Sequence, residues 1–79
     1  MENLERLLRY IVTEMVTTEE AIDITFDKNG DLVTFKVRVA EGELGRIIGK
    51  NGLTANAIRG VIQAAAVKDR LNVNVEFLD

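Results

Sequence analysis

The 79-residue sequence lacks cysteine, histidine, serine, proline and tryptophan. Without cysteine and histidine, disulfides, thiol or imidazole catalysis and zinc sites with the usual ligands are excluded. The remaining reactive groups are threonines, carboxylates, lysines and one tyrosine, which are poor nucleophiles and bases at neutral pH. We therefore expect a protein that is not an enzyme and that uses no cofactor, metal or small-molecule substrate.

Long hydrophobic runs are also missing. No apolar stretch approaches the roughly 20 residues that span a bilayer, and no signal-peptide pattern is present. With no proline, linker or repeat, the sequence predicts continuous secondary structure joined by short turns. We expect a cytoplasmic protein in which residues 1–79 form one domain.

Charge is distributed unevenly along the chain. The net charge is −3, but residues 1–43 contain five basic and ten acidic residues, whereas residues 44–79 contain five basic and three acidic. Residues 44–68 contain Arg46, Lys50, Arg59 and Lys68 and no acidic residue. An acidic protein with a local basic patch is predicted.

Hydrophobic periodicity predicts the elements. Apolar residues at helical spacing indicate a helix over residues 2–17. Alternation around residues 22–26 and 33–39, with an Asn-Gly turn between them, indicates an antiparallel strand pair. A short helix over 41–48, a longer one over 53–70 and a strand around 73–77 complete the order α-β-β-α-α-β.

This order predicts an α+β fold. The third strand follows a two-helix crossover and therefore returns parallel to its neighbour. The result is a three-stranded mixed sheet with helices packed on one face. The outer face is expected to carry polar side chains, namely Thr25, Thr34, Lys36, Arg38 and Asn74.

Gly49 and Gly52 enclose Lys50 and Asn51 between the two central helices. Two glycines leave backbone without side chains, which another backbone, such as a phosphodiester chain, can approach closely. The alternative interpretation is that both glycines only end and begin helices. A P-loop is excluded, because three residues rather than four separate Gly45 from Gly49 and no Ser or Thr follows Lys50.

The run Ile47-Ile48-Gly49-Lys50-Asn51-Gly52, with Ile58 beyond it, resembles the I-I-G-x-x-G motif of K-homology (KH) RNA-binding domains. The element order matches the type II, bacterial topology. In size and layout the chain is most similar to the small bacterial KhpA family, also called YlqC, and the resemblance covers essentially its whole length.

The resemblance implies binding of single-stranded RNA, with about four nucleotides held at the GXXG loop. Gly49, Lys50, Asn51 and Gly52 would contact the sugar-phosphate backbone. Ile47, Ile48 and Ile58 would form an apolar floor under the bases, and Arg46 and Arg59 would flank it with charge. Because Tyr10 alone offers little base stacking, an aromatic platform is not expected.

The resemblance also implies a dimer, either with a second copy or with a Jag-type (KhpB) KH partner, and a role as an RNA chaperone linked to cell-wall and cell-shape control. An alternative function is thus a protein-interaction module whose partner supplies the RNA contact. Leu53 stands where family members often have a basic residue, and Ala55 stands where many KH domains have Ile or Val. These two departures from the family pattern suggest weak and unselective RNA binding.

Small residues form a strip along the longer helix. Ala57, Gly60 and Ala64 recur at helical spacing and leave almost no side chain on that strip. We expect it to pack closely inside the domain. The alternative is a dimer contact that Leu53 extends.

Overall fold

The computed structural model describes residues 2–78. The elements follow the order α-β-β-α-α-β: α1 (Glu2–Thr13), β1 (Asp23–Asn29), β2 (Leu32–Arg38), α2 (Leu44–Ile48), α3 (Leu53–Ala66) and β3 (Asn72–Leu78). Single 3₁₀ turns occupy Glu19–Ala21, Lys50–Gly52 and Val67–Asp69. The predicted α+β class and element order are confirmed.

The sheet has the order β1-β2-β3, with β2 in the centre. β1 and β2 pair antiparallel through the hairpin at Gly30, while β2 and β3 pair parallel, as expected of a crossover connection. Thr25, Lys36 and Glu76 stand side by side in this register. The face that carries them is polar and exposed, so the predicted mixed sheet with helices on one face is confirmed.

The core lies between the other face of the sheet and the helices. Phe35, at the middle of the central strand, is completely buried, and so are Leu8 of α1 and Ile62 of α3. Each helix contributes one stripe of buried side chains: Leu4, Leu8 and Val12 from α1, and Ala55, Ile58, Ile62 and Ala66 from α3. Burying a leucine or isoleucine side chain stabilises the fold by about 1.5–3 kcal/mol.

β3 lies at an edge of the sheet, beside α3. On the side of β2, the Asn72 N–H donates to Asp31 O (2.8 Å), and Leu78 O accepts from the Val39 N–H (3.1 Å). Since peptide groups alternate in direction along a parallel strand, Val73 and Val75 direct theirs to the free edge. This edge faces the side chains of α3.

The first helix is shorter than the predicted span of residues 2–17. It ends at Thr13, and the residues after it form a turn in which Val12 O accepts from both the Met15 N–H (2.9 Å) and the Val16 N–H (3.2 Å). The reason is tertiary: the backbone of Thr17 and Thr18 is bonded to Glu43, 25 or 26 residues away. The N–H groups of these two residues donate to the Glu43 carboxylate instead of continuing the helix.

The two central helices are also shorter than predicted. α2 begins at Leu44 rather than at residue 41, because Gly42, with a φ of 89°, makes a turn before it. α3 ends at Ala66 rather than at residue 70, and the 3₁₀ turn after it is closed by Arg70 with a φ of 56°. Because an α-helix cannot contain a positive φ, helical structure can begin only after Gly42 and must end before Arg70.

Candidate nucleic-acid interface

The segment from Gly49 to Gly52 forms a tight turn between α2 and α3. Gly49 ends α2, with its N–H donating to Gly45 O at 3.1 Å, and α3 starts at Leu53. Gly49, Asn51 and Gly52 all have positive φ, at 70°, 57° and 76°. Asparagine and glycine are the residues that adopt this conformation at least cost, so the local sequence suits the turn.

The two glycines are required for different reasons. A Cβ added to Gly49 would lie 2.8 Å from Thr54 Cβ and closer still to Thr54 Oγ1, so the start of α3 already fills that space. At Gly52 the nearest atom would be Asn56 Nδ2 at 4.0 Å. Gly49 is therefore needed for packing within the turn, whereas the outer side of Gly52 is open to a ligand.

The turn presents polar groups to solvent. Lys50 and Asn51 are exposed, and Gly52 at the start of α3 supplies no side chain to cap the first N–H groups of the helix. Free N–H groups at a helix start attract anionic oxygen. The Leu53 N–H already donates to Lys50 O, so this end of α3 offers the lysine charge beside a helix start that no side chain caps.

Arg46 and Lys50 supply positive charge around the turn. Arg46 lies on α2 and is exposed, and neither residue forms an ion pair among residues 2–78. The acid-free span predicted from the sequence is thus a surface with available cations. A phosphate is the kind of group that could neutralise them.

The three isoleucines of the motif are placed differently. Ile47 is fully buried and Ile58 nearly so, and both belong to the core, whereas Ile48 is half-buried and borders the surface. All three belong to the core cluster or pack against it. Ile47 and Ile58 are therefore not available to touch a base, and Ile48 is the only one of the three that reaches the surface.

Arg59 lies on α3 and is held against β3. Its Nε–H donates to Val75 O (3.0 Å), its NH1 group donates to Asn56 Oδ1 (3.0 Å), and its guanidinium carbon lies 5.3 Å from the centre of the Phe77 ring. One turn further along α3, Gln63 Nε2 donates to Val73 O at 3.3 Å. Arg59 is thus fixed at the free edge of β3, in contrast to the exposed Arg46 and Lys50.

Asn56, Gln63 and Phe77 were not predicted as site residues. Their positions along the chain gave a partial signal, because Asn56 and Gln63 are three residues before and four after Arg59 and so share its face of the helix. The contact with Phe77 depends on how α3 packs on the sheet. No local pattern indicates it.

Glu43 anchors the segment that leads into α2. Its carboxylate accepts hydrogen bonds from the Thr17 hydroxyl, the Thr17 N–H (2.8 Å) and the Thr18 N–H (3.2 Å). The Thr17 hydroxyl above all, then the two N–H groups and nearby Arg46, hold the pKa of Glu43 below its ordinary value. Glu43 therefore ties the α1–β1 connection to the helix that carries the glycine turn.

The similarity of this chain to known proteins extends over almost its whole length. Residues 5–77 match the family model described as KhpA/KhpB, KH domain. The chain belongs to this family. The predicted resemblance is thus confirmed, and the match extends across α1 and all three strands as well as the glycine turn.

Relatives in this family have similar lengths. The chain is 30% identical to the RNA-binding protein KhpA of Chlamydia trachomatis serovar D over 76 residues, which cover 96% of this chain and 97% of that protein. It is 33% identical to the protein of the same name from Clostridium acetobutylicum over 75 residues, covering 95% and 100%. The Bacillus subtilis KhpA is 32% identical over 78 residues, covering 99% and 96%.

The predicted close packing of the small-residue strip is wrong. Ala57, Gly60 and Ala64 are all exposed, and a Cβ added to Gly60 would meet no atom within 4 Å. The opposite stripe of α3, which contains Ile58 and Ile62, faces the sheet instead. That orientation is favoured because the isoleucines bury more apolar surface than the small residues could.

Larger apolar side chains extend the exposed strip. Leu53 is 67% exposed, Val61 49% and Val67 71%. Together with Ala57, Gly60 and Ala64 they form what we call the outer face of α3. Exposed apolar side chains grouped on one side of a helix are typical of a contact with another protein.

Neither a membrane-spanning helix nor a cluster of metal-ligating side chains is found among the described residues. None of the helices within residues 2–78 combines the length and apolar character needed to cross a membrane. In that same part of the chain, no three acidic side chains lie close enough together to hold a metal ion.

Proposed function

We propose that the protein binds single-stranded RNA through the Gly49–Gly52 turn. The observation that carries the proposal is the turn itself: open backbone at Gly52, an exposed Lys50 and a start of α3 without a side-chain cap, surrounded by sequence without acidic residues. Such a surface suits a phosphodiester backbone. The relatives named RNA-binding protein KhpA support this choice.

Binding of this kind is led by the RNA backbone and is weakly selective for sequence. Gly49 to Gly52 contact the sugar-phosphate chain, Arg46 adds charge, and Ile48 borders the bases. Leu53, in place of a basic residue, limits the affinity. Ala55 is buried in the core, so its small side chain does not form part of the surface that faces the bases. Binding of short single-stranded RNA with a sub-micromolar Kd at moderate salt would contradict this weak-affinity part of the proposal.

In the cell, the protein would act without catalysis. We infer a cytoplasmic RNA chaperone or post-transcriptional regulator, with effects on cell shape and cell-wall formation, as the family resemblance implies. Crosslinking the protein to cellular RNA, followed by identification of both the RNAs and the proteins recovered, would test this role. Recovery of proteins without RNA would contradict it.

The double variant Lys50→Asp with Asn51→Asp tests the turn directly. Both side chains are exposed, so the fold should be retained while RNA binding is abolished. The chain offers a matched control, because a second Lys-Asn-Gly sequence occurs at the exposed β1–β2 hairpin. Lys28→Asp with Asn29→Asp changes the net charge by the same amount away from the turn.

Fluorescence anisotropy with a labelled eight-nucleotide RNA measures both variants. The hairpin variant should bind almost as the wild type does, and its salt dependence should be unchanged. If the two double variants lose affinity equally, the effect comes from net charge. The role of the Gly49–Gly52 turn would then be refuted.

A second function, protein association, is supported by the exposed outer face of α3. We propose that a second copy of the chain packs on it. The face is nearly symmetric about Gly60 and Val61: Ala57 and Ala64 lie on either side, and Leu53 and Val67 lie further out. Two such helices packed antiparallel would place Leu53 against Val67 of the other copy, which is the self-complementarity that two-fold dimers require.

An antiparallel pair has a consequence for RNA. Since α3 has 14 residues, the two glycine turns would lie at opposite ends of the helix pair, about 21 Å apart along it. A dimer could then hold two segments of one RNA. A Jag-type KH partner occupying the same face is the alternative outcome.

Sedimentation of the wild type, Gly60→Ala and Gly60→Leu tests the dimer. Because Gly60 has open space around it, either side chain fits the monomer, and both residues favour a helix over glycine. A dimer should weaken slightly with alanine and dissociate with leucine. A wild type that sediments as a monomer at all concentrations would refute self-association.

A further inference from the structure

Arg59 is held more rigidly than the other cations near the turn. Among residues 2–78 it has no carboxylate partner, yet two of its five N–H groups already donate to Val75 O and Asn56 Oδ1 at 3.0 Å. The guanidinium carbon also lies over the Phe77 ring, 5.3 Å from its centre. A planar group restrained in this way loses little further freedom when a ligand binds it.

The position of Arg59 relates it to RNA held at the turn. It follows Gly52 by seven residues, which is about 10 Å along a helix. Its side chain is bonded at the free edge of β3 and therefore lies outside the turn. A nucleotide next to the clamped phosphates would come within reach of it.

The contacts of Arg59 favour a base over a phosphate. The Nε side of the guanidinium, which normally helps to grip an anion from two points, is already bonded to Val75 O. The guanidinium carbon lies over the Phe77 ring, 5.3 Å from its centre, and no second ring in the described part of the chain lies against the group. Planar guanidinium groups stack on RNA bases, and such stacking tolerates any sequence.

We propose that Arg59, supported by Phe77, is a stacking platform for one RNA base. The inference rests on the proposed RNA binding and adds a second kind of contact to it. Lys50 contacts the backbone, whereas Arg59 contacts a base. The platform compensates for the lack of exposed aromatic rings beside the turn.

A charge-conserving variant separates the two roles. Arg59→Lys keeps the positive charge but loses the planar surface and the bond geometry at Nε. Its affinity is measured for an eight-nucleotide RNA and for a ribose-phosphate chain of the same length without bases. We expect about fivefold or greater weakening on the RNA, no difference from wild type on the base-free chain, and an unchanged salt dependence.

Lys50→Gln is the matched comparison. It should weaken binding to both chains and reduce the slope of log K against log salt by about 0.7, as expected for one lost phosphate contact on a single strand. Thermal unfolding followed by circular dichroism establishes that Arg59→Lys remains folded. A second variant, Phe77→Leu, leaves the arginine in place, removes the ring beneath it and should also weaken binding only to the chain with bases.

Two results would overturn the platform. Arg59→Lys and Phe77→Leu could bind the RNA as the wild type does, or they could lose affinity equally on both chains with a reduced salt slope, which would make Arg59 a phosphate contact. Either result leaves the proposed function intact if the Lys50→Asp, Asn51→Asp variant still abolishes binding. A wild type that binds neither chain would refute both proposals.

Discussion

Replacing Gly49 by alanine should destabilise the fold far more than replacing Gly52. At Gly49, φ is 70° and ψ −173°, a combination used almost only by glycine, so a side chain there costs about 1–3 kcal/mol in strain. The contact with Thr54 adds a similar amount, since overpacking typically costs about 1–3 kcal/mol. The total of about 2–6 kcal/mol is a large fraction of the roughly 4–12 kcal/mol expected for 79 residues.

Gly52→Ala is the matched control. Its φ of 76° and ψ of 8° fall close to the left-handed helical region, where alanine costs about 1–2 kcal/mol, and no atom crowds the new Cβ. Urea unfolding measures the free energy of unfolding of each variant. The midpoint of Gly49→Ala should fall by more than about 1 M relative to that of Gly52→Ala.

A double-mutant cycle with Thr54 tests the cause. Thr54→Gly removes the two side-chain atoms that crowd position 49, so it should recover about 1–3 kcal/mol of the loss caused by Gly49→Ala. Glycine at position 54 lowers the stability of the helix to the same extent whether position 49 is glycine or alanine. This loss therefore cancels in the cycle. Strictly additive effects, or equal losses at positions 49 and 52, would refute the argument that Thr54 occupies the space above Gly49.

Three further outcomes are expected. Glu43→Gln should lower the urea midpoint at neutral pH. Because the pKa of Glu43 is lowered in the folded state, the stability that its carboxylate contributes is present above about pH 4.5 and is lost as the pH falls further. The urea midpoints of variant and wild type should therefore converge in acid. A constant difference at every pH would contradict this. Ile62→Ala should cost about 2–5 kcal/mol and its exposed neighbour Val61→Ala less than about 0.5, and equal losses would place the wrong face of α3 on the sheet. Wild-type RNA binding should weaken from low to moderate salt, as anisotropy titrations can show, and salt-independent binding would exclude backbone contacts.

The elements were predictable because their signals are local. Alternation around Ile24 and Phe35 and helical spacing around Leu8 depend only on the repeat of each backbone conformation. Helix ends were predicted less well. α1 stops early where Thr17 and Thr18 bond to Glu43, and this competition involves residues far apart in the chain.

The candidate site was predictable in part for the same reason. Gly49 and Gly52, with Lys50 between them, were recognisable from spacing, and the structure places them in an exposed turn. The different structural roles of Gly49 and Gly52 could not be recognised from the sequence. Only the packing of Thr54 shows that one of them fills a crowded position and the other an open one.

The sequence by itself determined the order of elements, the glycine turn and its basic surroundings, since these depend on neighbours along the chain. The tertiary structure decided which side of α3 faces the sheet. The helix is apolar on two sides, and the side with Ile58 and Ile62 faces the sheet because it buries more surface, which leaves Gly60 exposed. The same rotation brings Arg59 over Phe77, a contact set by the docking of helix on sheet and by no pattern within either.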